Sequence, residues 1–276
     1  MLRINLFDKC FTHSVGEDGF DTSTCGRRPS KLEWLRDNHK WSGVTVFTDL
    51  SLLDADSVES TYKVAWIIEP REILPDAYAQ IVTLEDKFDA ILTHDTSLLI
   101  RSPKYIKCAR GTSWIKDSDQ QIYNKTKHTS TITSDKNNTE GHQLRHKFIR
   151  LCPHLDAYGH IHLPFINRLL CTKDYMFNVA IENVKRDNWF TEKLIDCFLT
   201  GTVPVYWGCP NIAEYFNIDG IILFDSIQQI YSKLTEQLYT DMLPAIEDNF
   251  SKAKKYVSGD DIVADILSER FNLSTS

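Results

Sequence analysis

Lysine is out of place in the first turn of a helix, where the backbone dipole is positive and cations are disfavoured. The run Trp189-Phe190-Thr191-Glu192-Lys193 nevertheless leads into an apolar stripe of Leu194, Ile195 and Phe198, and Gly201 follows. That pattern predicts a helix from about Trp189 to Leu199, with Lys193 near its start. An anion resolves the conflict: a phosphate there meets free backbone N–H groups and the ammonium together. Glu182-Asn183 ends the preceding apolar run, and Arg145 stands at the parallel position after the run before that. Asn183 can donate across the loop, Glu192 can accept from ribose hydroxyls, and Arg145 supplies a second cation. A lone Glu-Lys pair on an exposed turn would mean little. Its position between two apolar strands, with Arg145 alongside, makes it a phosphate site.

These residues need elements to hold them. In the first half, Arg3–Phe7, Val44–Phe47, Tyr62–Ile68 and Phe88–Leu92 are short apolar runs without polar alternation, separated by helix-length spacers. Such runs predict parallel strands covered on both faces. Ser30-Lys31-Leu32-Glu33 has capping-box spacing and predicts a short helix through Trp34 and Leu35. In the second half, strands are expected at 131–133, 177–181, 203–207 and 220–224, with a helix over 142–151. The tail from about Thr235 to Phe271 reads as helical, broken near Ser258-Gly259. The polar stretch 116–128 sets the boundary between two α/β domains, 1–120 and 121–276. In open parallel sheets ligands bind beyond the carboxyl ends of the strands, where the phosphate residues fall.

Composition narrows the function. The chain has 276 residues, and 31 Lys and Arg against 38 Asp and Glu give a net charge of −7. A broad nucleic-acid surface needs an excess of basic residues, so that partner is excluded while a local phosphate pocket is not. Hydrophobic residues are 42% and charged residues 25%, values of a globular chain with an ordinary core. No run approaches the ~20 apolar residues of a membrane-spanning helix. Seven cysteines without a C-x-x-C pair, and no signal-like N-terminus, point to reduced thiols and a cytoplasmic location.

Phe177-Asn178-Val179-Ala180-Ile181-Glu182-Asn183, then Trp189-Phe190-Thr191-Glu192-Lys193-Leu194, then Gly201-Thr202-Val203-Pro204-Val205-Tyr206-Trp207-Gly208 resembles, in order and spacing, a family signature. It is the donor-binding signature of the α1,3/4-fucosyltransferases, glycosyltransferase family 10. The resemblance implies a GT-B fold, two Rossmann-like domains facing across a cleft, with the acceptor side in 1–120 and the nucleotide-sugar in 121–276. It implies a compact, bacterial- or viral-type enzyme that takes GDP-fucose as donor, inverts the anomeric centre and transfers to a glycan or glycolipid-precursor hydroxyl, with no further cofactor. Carried over by position, Arg145 and Lys193 neutralise the diphosphate, Asn183 and Trp189 line the same pocket, and Glu192 holds the ribose. The strand end Ile68-Glu69-Pro70 looks like the place where relatives carry an acidic residue, which makes Glu69 the candidate general base. Glu72, Asp49 and Asp95 also stand at strand ends, and position alone does not separate them from it.

Other patterns carry less. His142 and His146 are spaced i, i+4, and His154, His160 and His162 lie close in sequence, but no third ligand completes a metal frame, and none is assigned. Asp260-Asp261 reads as a helix start rather than a metal pair. Two alternatives to a fucosyltransferase remain open from the residues: the same fold using another nucleotide-sugar, since phosphate and ribose contacts do not report the sugar, and a non-catalytic nucleotide- or glycan-binding module.

Overall fold

The computed structural model describes residues 1–10, 27–159, 163–227, 230 and 232–273. Within it the chain forms two compact units, Met1–Arg110 with Ser258–Ser276, and Gly111–Val257. Both are α/β with wholly parallel sheets, the class expected from the unalternated apolar runs.

In the first unit, strands β1 (Leu2–Phe7), β2 (Leu32–Arg36), β3 (Lys40–Thr48), β4 (Glu59–Ile67), β5 (Ala90–Thr93) and β6 (Tyr105–Lys107) lie in the order β2-β1-β3-β4-β5-β6. Successive side chains point to opposite faces, and both faces are covered. Leu6, Val46, Val64, Trp66 and Leu92 form one core, and Phe47, Ala65, Ile67 and Ile91 the other. Helix α1 (Pro75–Leu84) closes the second face with Ala77, Tyr78 and Ile81. Helix α2 (Thr96–Leu99) is short and capped by Asp95, whose carboxylate accepts the Leu98 N–H.

Ser30–Leu35 corrects an expectation. The capping-box spacing does not start a helix: Leu32–Arg36 is strand β2, paired in parallel with β1. The Ser30 hydroxyl that would have capped a helix instead donates to the Asp261 carboxylate at 2.8 Å, and the Ser30 and Lys31 N–H groups bond the same side chain. Leu32 and Trp34, two apart, then both reach the core, as strand periodicity requires.

The second unit holds β7 (Lys127–Ile132), β8 (Asp156–Tyr158), β9 (Tyr175–Ile181), β10 (Val203–Trp207) and β11 (Ile222–Leu223), in the order β11-β10-β9-β7-β8. Helices α3 (Glu140–Leu151), α4 (Arg168–Thr172) and α5 (Glu192–Phe198) enter from strand ends, and α6 (Glu236–Asp241) and α7 (Leu243–Ala253) follow the last strand. Phe177, Val179, Ile181, Val203, Val205 and Trp207 pack one face against Phe148 of α3 and Ile246 of α7. The other face is more polar: the Asn178 amide donates to Ser130 Oγ at 2.8 Å, and that hydroxyl donates to the Cys171 carbonyl at 2.5 Å. Among the described residues no helix is long and apolar enough to cross a membrane.

The units divide at Arg110/Gly111, ten positions before the sequence-based boundary, and the last helix, α8 (Gly259–Phe271), belongs with the first unit. Proximity in sequence grouped that helix with the second domain. Its apolar face decides otherwise, because Val263, Ala264 and Leu267 are buried in the core of β1, β3 and β4. Leu267→Ala is therefore expected to destabilise the first unit by about 2–5 kcal/mol, although it lies close to the end of the chain. Denaturant titration of the variant checks this, and a loss under about 0.5 kcal/mol would place the helix outside that core.

Candidate active site

The carboxyl end of β9 is organised by a carboxylate with no exposed surface. Glu182 is fully buried, its Oε1 accepting the Thr191 N–H at 2.8 Å and its Oε2 accepting from the Thr191 hydroxyl at 2.8 Å. Thr191 also caps α5, taking the Lys193 N–H on the same oxygen. The Lys193 ammonium completes the group, 3.1 Å from Thr191 Oγ1, 3.3 Å from Glu192 Oε1 and 3.4 Å from Glu182 Oε2. The cation that opposes the helix dipole is therefore held by carboxylates, and an anion at the helix start meets a preassembled ammonium.

The loop between strand and helix is pinned independently. Asn188 takes a left-handed conformation (φ 58°), which asparagine tolerates better than most residues. Its N–H donates to Asn211 Oδ1 at 2.8 Å, and its Oδ1 accepts from Asn211 Nδ2 at 2.9 Å and the Tyr215 hydroxyl at 2.5 Å. Phe190 is buried edge-on against Tyr215, Phe216 and Tyr256. Gly208 completes the packing, since a methyl there would stand 2.6 Å from Glu182 Cγ.

Helix α3 approaches this loop at backbone distance. The Gly141 N–H donates to the Asn183 carbonyl at 3.0 Å, and a methyl on Gly141 would fall 1.7 Å from the Glu182 carbonyl oxygen. Only glycine fits. One turn on, Arg145 donates from Nη2 to Asn183 Oδ1 at 2.5 Å. Arg145 is 5% exposed, and its Nε is buried without a hydrogen-bond partner among the described residues. Burial weakens the guanidinium as a base, while the Glu182 and Glu192 charges support it. A buried, incompletely answered guanidinium is suited to an oxyanion. Asn183 spends its carbonyl oxygen on Arg145, so its amide nitrogen is the group that remains to donate to a ligand.

Arg145, Asn183 and Lys193 line one cavity of about 260 Å³, together with Thr133, Ser134, His142 and Arg168. His142 accepts or donates at Nδ1 with Thr139 Oγ1, 2.7 Å away. Burial, then the Arg145 charge, lowers its imidazole to about 4, so the ring is neutral at pH 7. Its i, i+4 neighbour His146 instead meets the Lys136 carbonyl at 3.0 Å. Among the described residues no group of three or more His, Cys, Asp or Glu is placed to hold a metal ion; His160 and His162 lie outside the described residues.

Sequence reasoning missed Arg168, whose signal resembles that of Lys193: a cation opening a helix. It is 14% exposed at the side chain, with Nη2 2.6 Å from Glu192 Oε1 and Nε 3.7 Å from Asp196 Oδ2. Glu192 thus joins two of the cavity's cations. Against the opposing effect of burial, Lys193 and Arg168 hold its carboxyl well below the usual range. Asp196, buried and bonded to the Ser113 hydroxyl at 2.7 Å, is pushed up by burial to about 7. Trp189 is not on the cavity wall. It is 6% exposed, its backbone N–H bonded to the Cys209 thiol.

In the first unit, Glu69 follows β4 and is half-buried. Of its rivals, Asp95 is committed to capping α2 and pairs with Arg71 at 3.4 Å. Against burial, Ser97 and the Leu98 N–H keep the Asp95 carboxyl below its usual range. Glu72 is exposed. Asp49 has no exposed surface and accepts the N–H groups of Ile68 and Glu69 at 2.8 and 3.2 Å.

Comparison with known proteins bears first on the fold. The whole chain superposes on an α1,3-fucosyltransferase solved with GDP-fucose, with a TM-score of 0.58 at 15% identity, covering 100% of this chain and 91% of that one. The same comparison with an α1,3-fucosyltransferase holding GDP gives 0.56 at 15% identity, covering 99% and 91%. An apo structure of OtsA gives 0.56 at 8% identity, over 85% of this chain and 74% of that one. The fold is that of the GT-B glycosyltransferases. Residues 122–246 match the family model glycosyltransferase family 10 (fucosyltransferase) C-term, and the cavity and its cations lie within that stretch. The α-(1,3)-fucosyltransferase FucT of Helicobacter pylori is 44% identical over 43 residues, 16% of this chain and 9% of that protein. A putative fucosyltransferase-like protein of Arabidopsis thaliana is 34% identical over 64 residues, 22% and 12% respectively. The aligned stretches thus span only about a tenth of these relatives' own length.

The contact at Gly141 gives a sharp expectation. Gly141→Ala must push α3 away from Glu182 and take Arg145 off Asn183, weakening pyrophosphate binding at least about tenfold, or ~1.4 kcal/mol. Calorimetric titration with pyrophosphate checks this; an unchanged affinity would separate Arg145 from the anion site.

Proposed function

We infer that the chain is an inverting glycosyltransferase that moves fucose from GDP-fucose to a hydroxyl of a glycan acceptor, working in the cytoplasm. One observation carries the reading above the rest: the buried Arg145 guanidinium, only partly hydrogen-bonded, shares a cavity with the Lys193 ammonium inside the stretch that matches the fucosyltransferase family model. The diphosphate of the donor lies between these two cations, with the Asn183 amide as an additional donor. Glu192, fixed by Arg168 and Lys193, accepts from the ribose hydroxyls. Trp189 contributes through the loop it anchors. The first unit is the acceptor side and the second the donor side.

Glu69 takes the proton of the acceptor hydroxyl. The hydroxyl oxygen forms its bond to the anomeric carbon from the face opposite the diphosphate. The bond from that carbon to the diphosphate oxygen breaks, and its electron pair leaves with GDP. Inversion follows from this single displacement. Arg145 and Lys193 meet the growing negative charge, so the leaving group needs no proton. Stabilisation by donors already in place is the larger part of such catalysis.

Three variants test the assignment. Lys193→Ala and Arg145→Ala are each expected to weaken GDP binding by about tenfold or more, because the truncated site leaves phosphate oxygens unpaired. Glu69→Gln is expected to leave GDP affinity intact and lower turnover of GDP-fucose by about 10²–10⁴-fold. Wild-type GDP affinity in both cation variants would move the donor site elsewhere, and wild-type turnover in Glu69→Gln would remove it from the mechanism.

A further inference from the structure

The main chain of Glu69 is held on both sides by buried polar side chains from two other elements. Its N–H, with that of Ile68, is taken by the Asp49 carboxyl oxygens at the end of β3. Its carbonyl oxygen accepts from the Tyr78 hydroxyl of α1 at 3.0 Å. Asp49 is 0% exposed and Tyr78 2%. A buried carboxyl is a costly way to satisfy two strand-end N–H groups, since water or a neighbouring carbonyl serves at an ordinary strand end. Glu69 also stands immediately before Pro70, where the chain leaves the sheet and nothing in the ladder fixes it further. Fixing both backbone groups of one residue sets the direction in which its side chain leaves, and a proton acceptor loses rate steeply when displaced.

We propose that Asp49 and Tyr78 are positioning residues for Glu69, locking its backbone so that its carboxylate meets the acceptor hydroxyl, and that the charge state of Asp49 tunes Glu69 as a base. This rests on the reading of Glu69 as the general base. The groups set around Asp49 are Cys10 beyond β1, Glu69, Tyr78 and Arg110. Burial, reinforced by the Glu69 charge and opposed by the two N–H groups and Arg110, raises the Asp49 carboxyl to about 8. Burial likewise pushes the Cys10 thiol up to about 12 and the Tyr78 hydroxyl higher still, so neither changes charge where Asp49 does. When Asp49 ionises it adds a negative charge beside Glu69, and a like charge strengthens Glu69 as a base. Turnover therefore gains a rise through about pH 8.

The test is turnover of GDP-fucose with water as acceptor, read as GDP release between pH 6 and 9, with donor KM measured throughout. Asp49→Asn keeps the volume and one accepting oxygen but loses the second acceptor and the charge. It is expected to lower kcat about 10–100-fold with donor KM within twofold, and to abolish the rise near pH 8. Tyr78→Phe removes only the hydroxyl and is expected to lower kcat several-fold while keeping the rise. A uniform loss for Asp49→Asn at every pH with the rise retained, or wild-type kcat in both variants, overturns the proposal. If Asp49→Asn does not fold, Tyr78→Phe decides alone: reduced kcat at unchanged KM supports it and wild-type kcat overturns it. Glu69→Gln run in parallel separates the two layers. Wild-type turnover there removes the base and this proposal together, whereas loss of turnover there beside wild-type Asp49→Asn and Tyr78→Phe removes the positioning alone.

Discussion

A single buried carboxylate, Glu182, sets the geometry on which the donor-side unit depends. A charge with no exposed surface must be answered within the protein, and here Thr191 and Lys193 answer it from across the loop that Glu182 begins. This requirement brings the start of α5 back over the end of β9 and fixes where the ammonium stands. Gly208 and Gly141 leave room for the arrangement on either side, one for the Glu182 side chain and one for the close approach of α3. Arg145 then reaches Asn183 because α3 is that close. Loop, cap, cation and guanidinium form one assembly that is complete before a ligand arrives, which is the condition for electrostatic catalysis without reorganisation.

The first unit uses the same device in a different place. Asp49, also fully buried at a strand end, spends both oxygens on backbone N–H groups of the neighbouring strand end. In both units a buried carboxyl at the carboxyl edge of a parallel sheet tethers the loop that follows, where ligands of such sheets bind. The two sites differ in sign. Glu182 has the Lys193 ammonium at 3.4 Å and the charge of Arg145 nearby, a setting proposed to serve an anion. Asp49 stands by Glu69 and Arg110 and holds the backbone of the residue proposed to take a proton.

Much of this was legible from residue order. The unalternated runs gave both parallel sheets, and the conflict between Lys193 and the helix dipole singled out residues that the fold brings to one cavity, with Arg145 and Asn183 on its wall. What escaped was information that only tertiary contact holds. Ser30-Lys31-Leu32-Glu33 has the spacing of a helix start, yet Asp261, more than two hundred residues away, takes the Ser30 hydroxyl and the segment becomes an edge strand. The same long reach returned α8 to the first unit. Arg168 carried a legible signal, but one helix-opening arginine gains meaning only when Glu192 is found beside it. Trp189 comes to the pocket only through the resemblance; in the fold it is buried and stands off the cavity wall, directly after the left-handed Asn188. Among the acidic residues at the strand ends of the first unit, Asp49 and Asp95 accept main-chain N–H groups, a commitment that residue order does not reveal.

The central claim is that the cavity between Arg145 and Lys193 receives the diphosphate of a guanosine donor. Thermal unfolding of the purified chain against GDP, UDP, CMP and their sugar conjugates tests it most directly, because a ligand that binds only the folded state raises the midpoint by mass action. A shift with GDP and GDP-fucose that grows with ligand concentration and is absent with UDP and CMP is expected. A shift confined to UDP would keep the phosphate site and contradict the donor, and no shift with any nucleotide would contradict the site itself.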